Sequence, residues 1–266
     1  LVGLLLVACG ERSEDLLGEV KARGEIRIAS DPNYAPQSFL KEDGTLDGFD
    51  VDVAREIARR LGVTPKFVTP EWDAVIAGNW DRQWDIVVAS AAVTKERTEV
   101  LYFSVPYYYT PAQFAVRADL AAEVTRVEDF AGRVVCVGSS TTYEDYLNGR
   151  LELEGDAPFM QVHGVTVKTV ASDAECIQAL QAGSQEIEGV LTSLVLVTDA
   201  VSAGGPLVSV DAPVFYESLA VALDKSVPKS ESLLAAIDEI IGQMHQDGTL
   251  TQLSLKWYGV DLTVKE

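Results

Sequence analysis

Asp85-Ile86-Val87-Val88-Ala89-Ser90-Ala91-Ala92-Val93-Thr94-Lys95-Glu96-Arg97 is the stretch whose reading decides the fold, and Phe103-Ser104-Val105-Pro106-Tyr107-Tyr108-Tyr109 continues it. Ile86 to Ala89 is an apolar run of the length of a buried strand. Ser90, Ala91 and Ala92 are small, so the backbone after that strand can come close to a ligand. Arg97 then offers a planar guanidinium fork that a small carboxylate can accept bidentately. In open α/β sheets ligands bind outside the carboxyl ends of the strands, which is where this arginine falls. The alternative is an exposed arginine in a charged turn, the usual state of that side chain.

Upstream, Glu19 to Arg23 reads as a short helix ending at Gly24, and Glu25 to Ser30 alternates as a strand. Asp31-Pro32-Asn33-Tyr34-Ala35-Pro36 is a loop with two prolines. Asp50 has the chemistry of an N-cap, with Ala54, Ile57, Ala58 and Leu61 as one apolar stripe up to Gly62. Thr64 to Thr69 is a second strand, and a short helix follows Pro70-Glu71-Trp72-Asp73. Strands alternating with helices predict a mostly parallel sheet.

The alternation repeats downstream, which predicts a second α/β lobe. Its parts are a strand holding Cys136, a helix from Tyr143 to Leu151, a strand over 165–170, a helix carrying Cys176 and a strand over 187–191 that leads to Thr192-Ser193. Thr141 and Glu144, and again Ser172 and Glu175, have capping-box spacing. The helix start after Thr141 could receive an anion, or be an ordinary cap. Phe215 to Leu223 is extended, and Leu233, Ile237, Ile240, Ile241 and Met244 line a long amphipathic helix. A short helix from Leu253 to Tyr258 closes the pattern.

The chain has 266 residues, 47% hydrophobic and 23% charged, which is a globular composition. Its net charge of −20 argues against nucleic acid as a partner, since binding phosphates needs a basic patch. Leu1 to Ala8 is apolar, too short for a bilayer span of ~20 residues, and similar to the end of a signal peptide. No initiator Met or basic segment precedes it, so the natural chain is expected to begin earlier. Leu6-Val7-Ala8-Cys9 resembles the bacterial lipobox, which implies cleavage before Cys9 and a lipid on that residue; a buried N-terminal strand is the alternative. Cys136 and Cys176 remain. In an exported protein such a pair invites a disulfide, between a lobe-two strand and its helix; two separate buried thiols are the alternative.

Several stretches together resemble the extracytoplasmic solute-binding proteins of polar amino acid ABC importers. They are Asp31 to Pro36, Gly48-Phe49-Asp50-Val51-Asp52, Trp72-Asp73, Thr94-Lys95-Glu96-Arg97, Phe103 to Tyr108, Thr141-Thr142, Asp247-Gly248-Thr249-Leu250 and Lys256-Trp257-Tyr258-Gly259. The resemblance covers about Gly24 to Gly259. It implies an α/β, two-lobed periplasmic binding protein fold, each lobe a mostly parallel sheet flanked by helices, joined by crossing strands over 107–115 and 215–223. By that reading 1–8 is a signal peptide remnant and 9–23 a lipid-anchored tether. Lobe 1 takes 24–112 and 216–266, and lobe 2 takes 113–215. The protein is then a periplasmic or cell-surface monomer, anchored through Cys9, that hands a small amino acid or related carboxylate to an ABC permease.

Carried over residue by residue, the resemblance has Arg97 clamp the ligand carboxylate and Thr142 support it from the second lobe. Ser90 lies near the α-amino group, Tyr34 and Trp72 sandwich the side chain, and Asp31 contacts a polar or basic side chain. Packing or surface polarity is the alternative for each. There is a clear departure: the family's lobe-two aspartate, which pairs with the ammonium, is replaced by Ser193, and Ala92 stands where some members have a serine hydroxyl. Glu217 or Asp31 would then take over, or the ligand would lack a free ammonium. His163 and His245 form no cluster with cysteines, so no metal is expected, and no cofactor motif is present. The competing function is an enzyme similar to periplasmic cyclohexadienyl dehydratases, with Glu217 as a general acid.

Overall fold

A computed structural model describes residues 15–154, 159 and 161–265. The apolar leader, Cys9 and residues 10–14 of the expected tether lie outside the described residues. From Leu16 on, that tether is instead a helix of the body. Here α1 (Leu16–Arg23) is capped by Asp15, whose side chain accepts from the Gly18 N–H, and Leu16 and Val20 are buried in the first core.

The first block then runs β1 (Glu25–Ala29), β2 (Asn33–Tyr34), β3 (Ser38–Leu40), β4 (Leu46–Asp47), α2 (Phe49–Leu61), β5 (Thr64–Val68), α3 (Trp72–Ile76), β6 (Ile86–Ala92), α4 (Lys95–Val100) and β7 (Leu101–Phe103). The long strand β8 (Tyr108–Arg117) crosses to the second block. That block is β9 (Val134–Gly138), α5 (Thr142–Leu147), β10 (Thr166–Val170), α6 (Asp173–Gln181), β11 (Gly189–Ser193) and α7 (Leu194–Ser202). The strand β12 (Leu207–Asp224) returns, and α8 (Glu231–Gln246) and α9 (Thr249–Tyr258) pack on the first block.

One sheet runs through the molecule in the order β10-β9-β11-β8-β12-β6-β1-β5, with β7 on β12. Its two ends are parallel, as helix crossovers require: β1 pairs β5 and β6, and β9 pairs β10 and β11. Its middle is antiparallel, because β8 and β12 run in opposite directions between the lobes. Phe49, Ile86, Tyr107, Tyr108 and Leu219 belong to the first core, whereas Ala112, Phe114, Phe130, Leu191 and Phe215 belong to the second. The cores therefore change over between Tyr108 and Ala112 on one strand and between Phe215 and Leu219 on the other. The pairing of those strands shifts register between Val210 and Phe215.

Several local expectations shift. Asp50 is not a cap: α2 begins at Phe49, with Gly48 at the cap position. Gly48 has φ 129°, and a Cβ there would lie 2.3 Å from the Gln37 carbonyl oxygen, so only glycine lets the turn pack this closely. Asp50 is buried and turned inward. The α5 helix stops at Leu147 rather than Leu151, and β11 continues through Ser193. The apolar run Leu194 to Ser202, unassigned in the sequence, is α7, with Ser193 as its N-cap. Cys136 on β9 and Cys176 on α6 are joined by a disulfide with Cα atoms 5.6 Å apart.

Candidate functional site

The carboxyl ends of β1 and β6 face the carboxyl end of β9 and the start of α6 across a cleft beside β8 and β12. Asp31, Tyr34, Trp72, Ser90, Arg97 and Thr142 all line it, together with Tyr143, Asp173 and Glu217. Ser193 does not. It is fully buried; its hydroxyl accepts from the Leu196 N–H and lies 3.3 Å from Gln37 Nε2, which donates to it. The serine placed by resemblance in the ligand site is therefore a helix cap beside it.

Arg97 ends up in the cleft because Thr94 caps α4, its hydroxyl accepting from the Arg97 N–H at 3.1 Å. That cap turns the chain immediately after β6 and folds the side chain inward, to 6% exposure. The guanidinium donates to the Ala92 carbonyl at 3.1 Å and across the cleft to the Ser140 carbonyl at 3.0 Å. It lies 5.5 Å from the Trp72 ring centre, a cation–π distance. No ion pair to it is found among the described residues. Burial pulls its pKa down, and the negative charge of Glu217 opposes that shift. A buried cation held only by neutral carbonyls is costly unless an anion joins it.

Ser90 sits in the left-handed region, φ 52°. Its hydroxyl donates to Asp50 Oδ2 at 2.7 Å and lies 2.6 Å from the Tyr108 hydroxyl, while its N–H donates to the Tyr107 hydroxyl at 3.0 Å. Tyr107 in turn donates to Asp50 Oδ1 at 2.8 Å. The strained residue is thus held from behind by a buried carboxylate and two tyrosines. Burial raises the Asp50 carboxyl to about 7, against the pull of its hydroxyl donors.

Besides Asp31, two carboxyls line the cleft, those of Glu217 and Asp173. Glu217, on the crossing strand β12, accepts hydrogen bonds from the hydroxyls of Thr142 and Tyr143, the latter at 2.7 Å. Burial raises its pKa. The Thr142 hydroxyl, assigned above to a ligand carboxylate, is therefore given to Glu217 here. Asp173 is the residue that sequence reasoning missed. It opens α6, is 4% exposed, and accepts from the Gly138 N–H at 2.6 Å and the Thr192 hydroxyl at 2.9 Å. Burial pushes its carboxyl up to about 7. In the sequence it reads as an acidic first-turn residue that suits a helix dipole. The signal lies elsewhere, in Gly138: a Cβ at that position would lie 2.9 Å from Asp173 Oδ1, so glycine is what admits the carboxylate. The second lobe thus has its cleft aspartate, supplied by α6 and not by the end of β11. Ser193 still stands at the end of β11, so the place the family gives to an aspartate carries no carboxylate here.

The lobes touch around this cleft. Trp72 Nε1 donates to the Ser140 carbonyl at 3.2 Å, and the hydroxyls of Tyr34 and Tyr143 are 3.5 Å apart. At the rim Thr94 bridges Leu153, and Lys95 pairs with Glu152 at 2.9 Å. A charged and polar cavity between two lobes, lined by one guanidinium and the carboxyls of Asp31, Asp173 and Glu217, can hold a small zwitterion. Among the described residues no cluster suited to a metal ion is found.

Comparison with known proteins agrees with this fold. The L-cystine-binding protein of Escherichia coli K12 is 32% identical over 251 residues, covering 94% of this chain and 88% of that protein. An ancestral amino acid-binding protein, a precursor of cyclohexadienyl dehydratase, superposes with a TM-score of 0.79 at 28% identity, over 91% of this chain and 99% of that one. An ancestral arginine-binding protein bound to arginine gives a TM-score of 0.75 at 28% identity, over 89% and 99%. The profile of the bacterial extracellular solute-binding proteins, family 3, matches residues 26–260, and with the two-lobed fold and cleft described above the chain belongs to that family.

Proposed function

We propose that the cleft holds an α-amino acid, with its carboxylate on Arg97 and its ammonium on Asp173. The chain is the substrate-binding component of an ABC importer and works outside the cytoplasm. The observation that carries the residue assignment is Arg97: a buried guanidinium with no ion pair among the described residues, on the wall of an interlobe cleft. Asp173 stands across from it with burial resisting its ionisation, which an ammonium would relieve. A ligand carboxylate competes with Glu217 for the Thr142 hydroxyl. Tyr34 and Trp72 flank the side chain, and Ser90 presents its backbone near the amino group. That curated and structural relatives bind cystine and arginine supports an amino acid ligand.

The same reading has the protein bind without chemistry. The curated relatives are binding proteins, which supports that reading over an enzyme similar to the dehydratases. It also keeps a lipid anchor on Cys9, supported by the lipobox-like Leu6-Val7-Ala8-Cys9. The lobes close about β8 and β12, with hinges at 108–112 and 215–219. A thermal-shift panel of the twenty amino acids on wild type and Arg97→Ala tests the assignment. Stabilisation of the wild type that is lost in the variant is expected, and equal stabilisation of both would overturn it. Turnover of prephenate or arogenate would favour the enzyme.

A further inference from the structure

The helix α6 meets the strand β9 at two places on one face. Cys136 and Gly138 are two residues apart on β9, so they look to the same side of the sheet. Asp173 and Cys176 are three apart on α6, so they share one face of the helix. At the cleft end the Gly138 N–H donates to Asp173 Oδ1 at 2.6 Å. One turn along α6, Cys176 is bonded to Cys136, with Cα atoms 5.6 Å apart. Both cysteines are buried, and neither lines the cleft.

These two contacts do different things. The pairing of Val170 with Gly138, and the Ser139 N–H donating to the Val170 carbonyl at 2.8 Å, bring the chain to the start of α6. One anchor fixes where a helix starts and leaves its direction free. A second anchor a turn later fixes the direction, and with it the orientation of the first side chain, Asp173. Packing alone specifies this less tightly than elsewhere. The core holding α6 to the sheet is aliphatic apart from the two cysteines, with no aromatic ring among its described buried residues, whereas the first core has Phe49, Tyr107 and Tyr108. The fit required of Asp173 is close. A Cβ on Gly138 would lie 2.9 Å from its Oδ1, and its Oδ2 accepts from the Thr192 hydroxyl at 2.9 Å. A small rotation of α6 would lengthen both bonds, and hydrogen bonds weaken steeply as their geometry departs from the optimum.

We infer that the bond between Cys136 and Cys176 is a positioning element of the binding site: it holds the first turn of α6 against β9 so that Asp173 faces the cleft as the acceptor for the ligand ammonium. The inference rests on the amino acid reading of the cleft. The two cysteines touch no ligand and act through Asp173. A binding group held by packing and by a supporting shell keeps the geometry its ligand needs, and loosening that shell costs affinity.

A double-mutant cycle tests it. Cys136→Val/Cys176→Ala removes the bond and keeps the site apolar, and Asp173→Asn removes the charge that the bond places. Calorimetry uses whichever of the twenty amino acids and L-cystine most stabilises the wild type, well below the melting temperature of each variant. Removing the bond should weaken binding by roughly tenfold in the otherwise wild-type chain, the lower end of what losing the charge would cost. In the Asp173→Asn chain it should weaken binding by less than about threefold, because no charge is left to misplace. A bond that serves stability alone would lower the melting temperature in both chains and leave both affinities as they were. Unchanged affinity without the bond, or an equal loss in the two chains, would overturn the inference while leaving the amino acid reading in place. A variant that is only destabilised is restored by trimethylamine N-oxide, which favours the compact state, and the cycle is then run in it. A chain that stays unfolded there would make the bond a condition of the fold and not a brace of the site, which also overturns the inference. No stabilisation of the wild type by any of these amino acids would overturn the amino acid reading, and the inference with it.

Discussion

Replacing Asp173 by asparagine should change binding and stability in opposite directions. Asparagine keeps the shape, and its carbonyl oxygen can still accept from the Gly138 N–H that now reaches Oδ1 at 2.6 Å. What is lost is the charge. For the ligand, the loss replaces a charge-assisted hydrogen bond from an ammonium, and such bonds contribute about 1.5–3 kcal/mol. Affinity for the amino acid that most stabilises the wild type should therefore fall by roughly 10- to 150-fold. For the free protein the sign reverses. Burial raises the folded carboxyl from 3.8 to about 7, so the folded state holds the proton more tightly than the unfolded chain. Stability is then lost as pH rises from about 4 through about 7. The full rise corresponds to at most roughly 4 kcal/mol. Asparagine does not titrate, so the variant should match the wild type near pH 4 and exceed it at about pH 8. The same linkage makes wild-type affinity for an ammonium-bearing ligand fall below about pH 7, with proton release on binding, whereas the variant's affinity should be nearly flat. Calorimetry in buffers of different ionisation enthalpy, with thermal melts of the free protein, reads all of these quantities. Unchanged affinity in Asp173→Asn, or wild-type affinity that does not depend on pH between about 5 and 8, would refute the assignment of the ammonium.

Arg97→Ala should cost binding about 2–5 kcal/mol, the effect of truncating one partner of a buried charge pair, and calorimetry that finds native affinity would sink the carboxylate assignment. Small-angle scattering should show a smaller radius of gyration with the saturating amino acid ligand than without, as lobes close about β8 and β12; an identical radius in both states would count against the hinge. Removing the bond between Cys136 and Cys176, which are 40 residues apart, should destabilise the protein by ~4 kcal/mol on the chain-entropy account. Denaturant titration of Cys136→Ser/Cys176→Ser is the check, and an unchanged midpoint would refute that account.

Much of this protein is written locally. The buried run Ile86 to Ala92, the strand–helix alternation and the two capped helix starts at Thr141 and Ser172 are short-range patterns, and each becomes the expected kind of element. Arg97 was legible because it falls just past the end of a strand-length apolar run, where α/β sheets bind their ligands; the Thr94 cap that turns it inward is seen only in the structure. Tyr34, Trp72 and Ser90 were assigned through the resemblance alone; Tyr34 lies on β2, Trp72 opens α3 and Ser90 lies within β6, and all three line the cleft. Asp50 and Ser193 misled, since a polar residue before a helix reads as a cap or a ligand group until its neighbours are known. Only the tertiary structure showed that Asp50 supports Ser90 from behind and that Ser193 caps α7. Asp173 depended most on the whole fold. Its orientation is set by Gly138 on β9 and Thr192 on β11, residues 35 and 19 positions away in sequence, and no local pattern relates the three. The charge balance between one arginine and the carboxyls of the cleft is decided in the same way. It is a sum over groups that meet only when β8 and β12 bring two separate cores together, and a linear sequence has no term for that meeting.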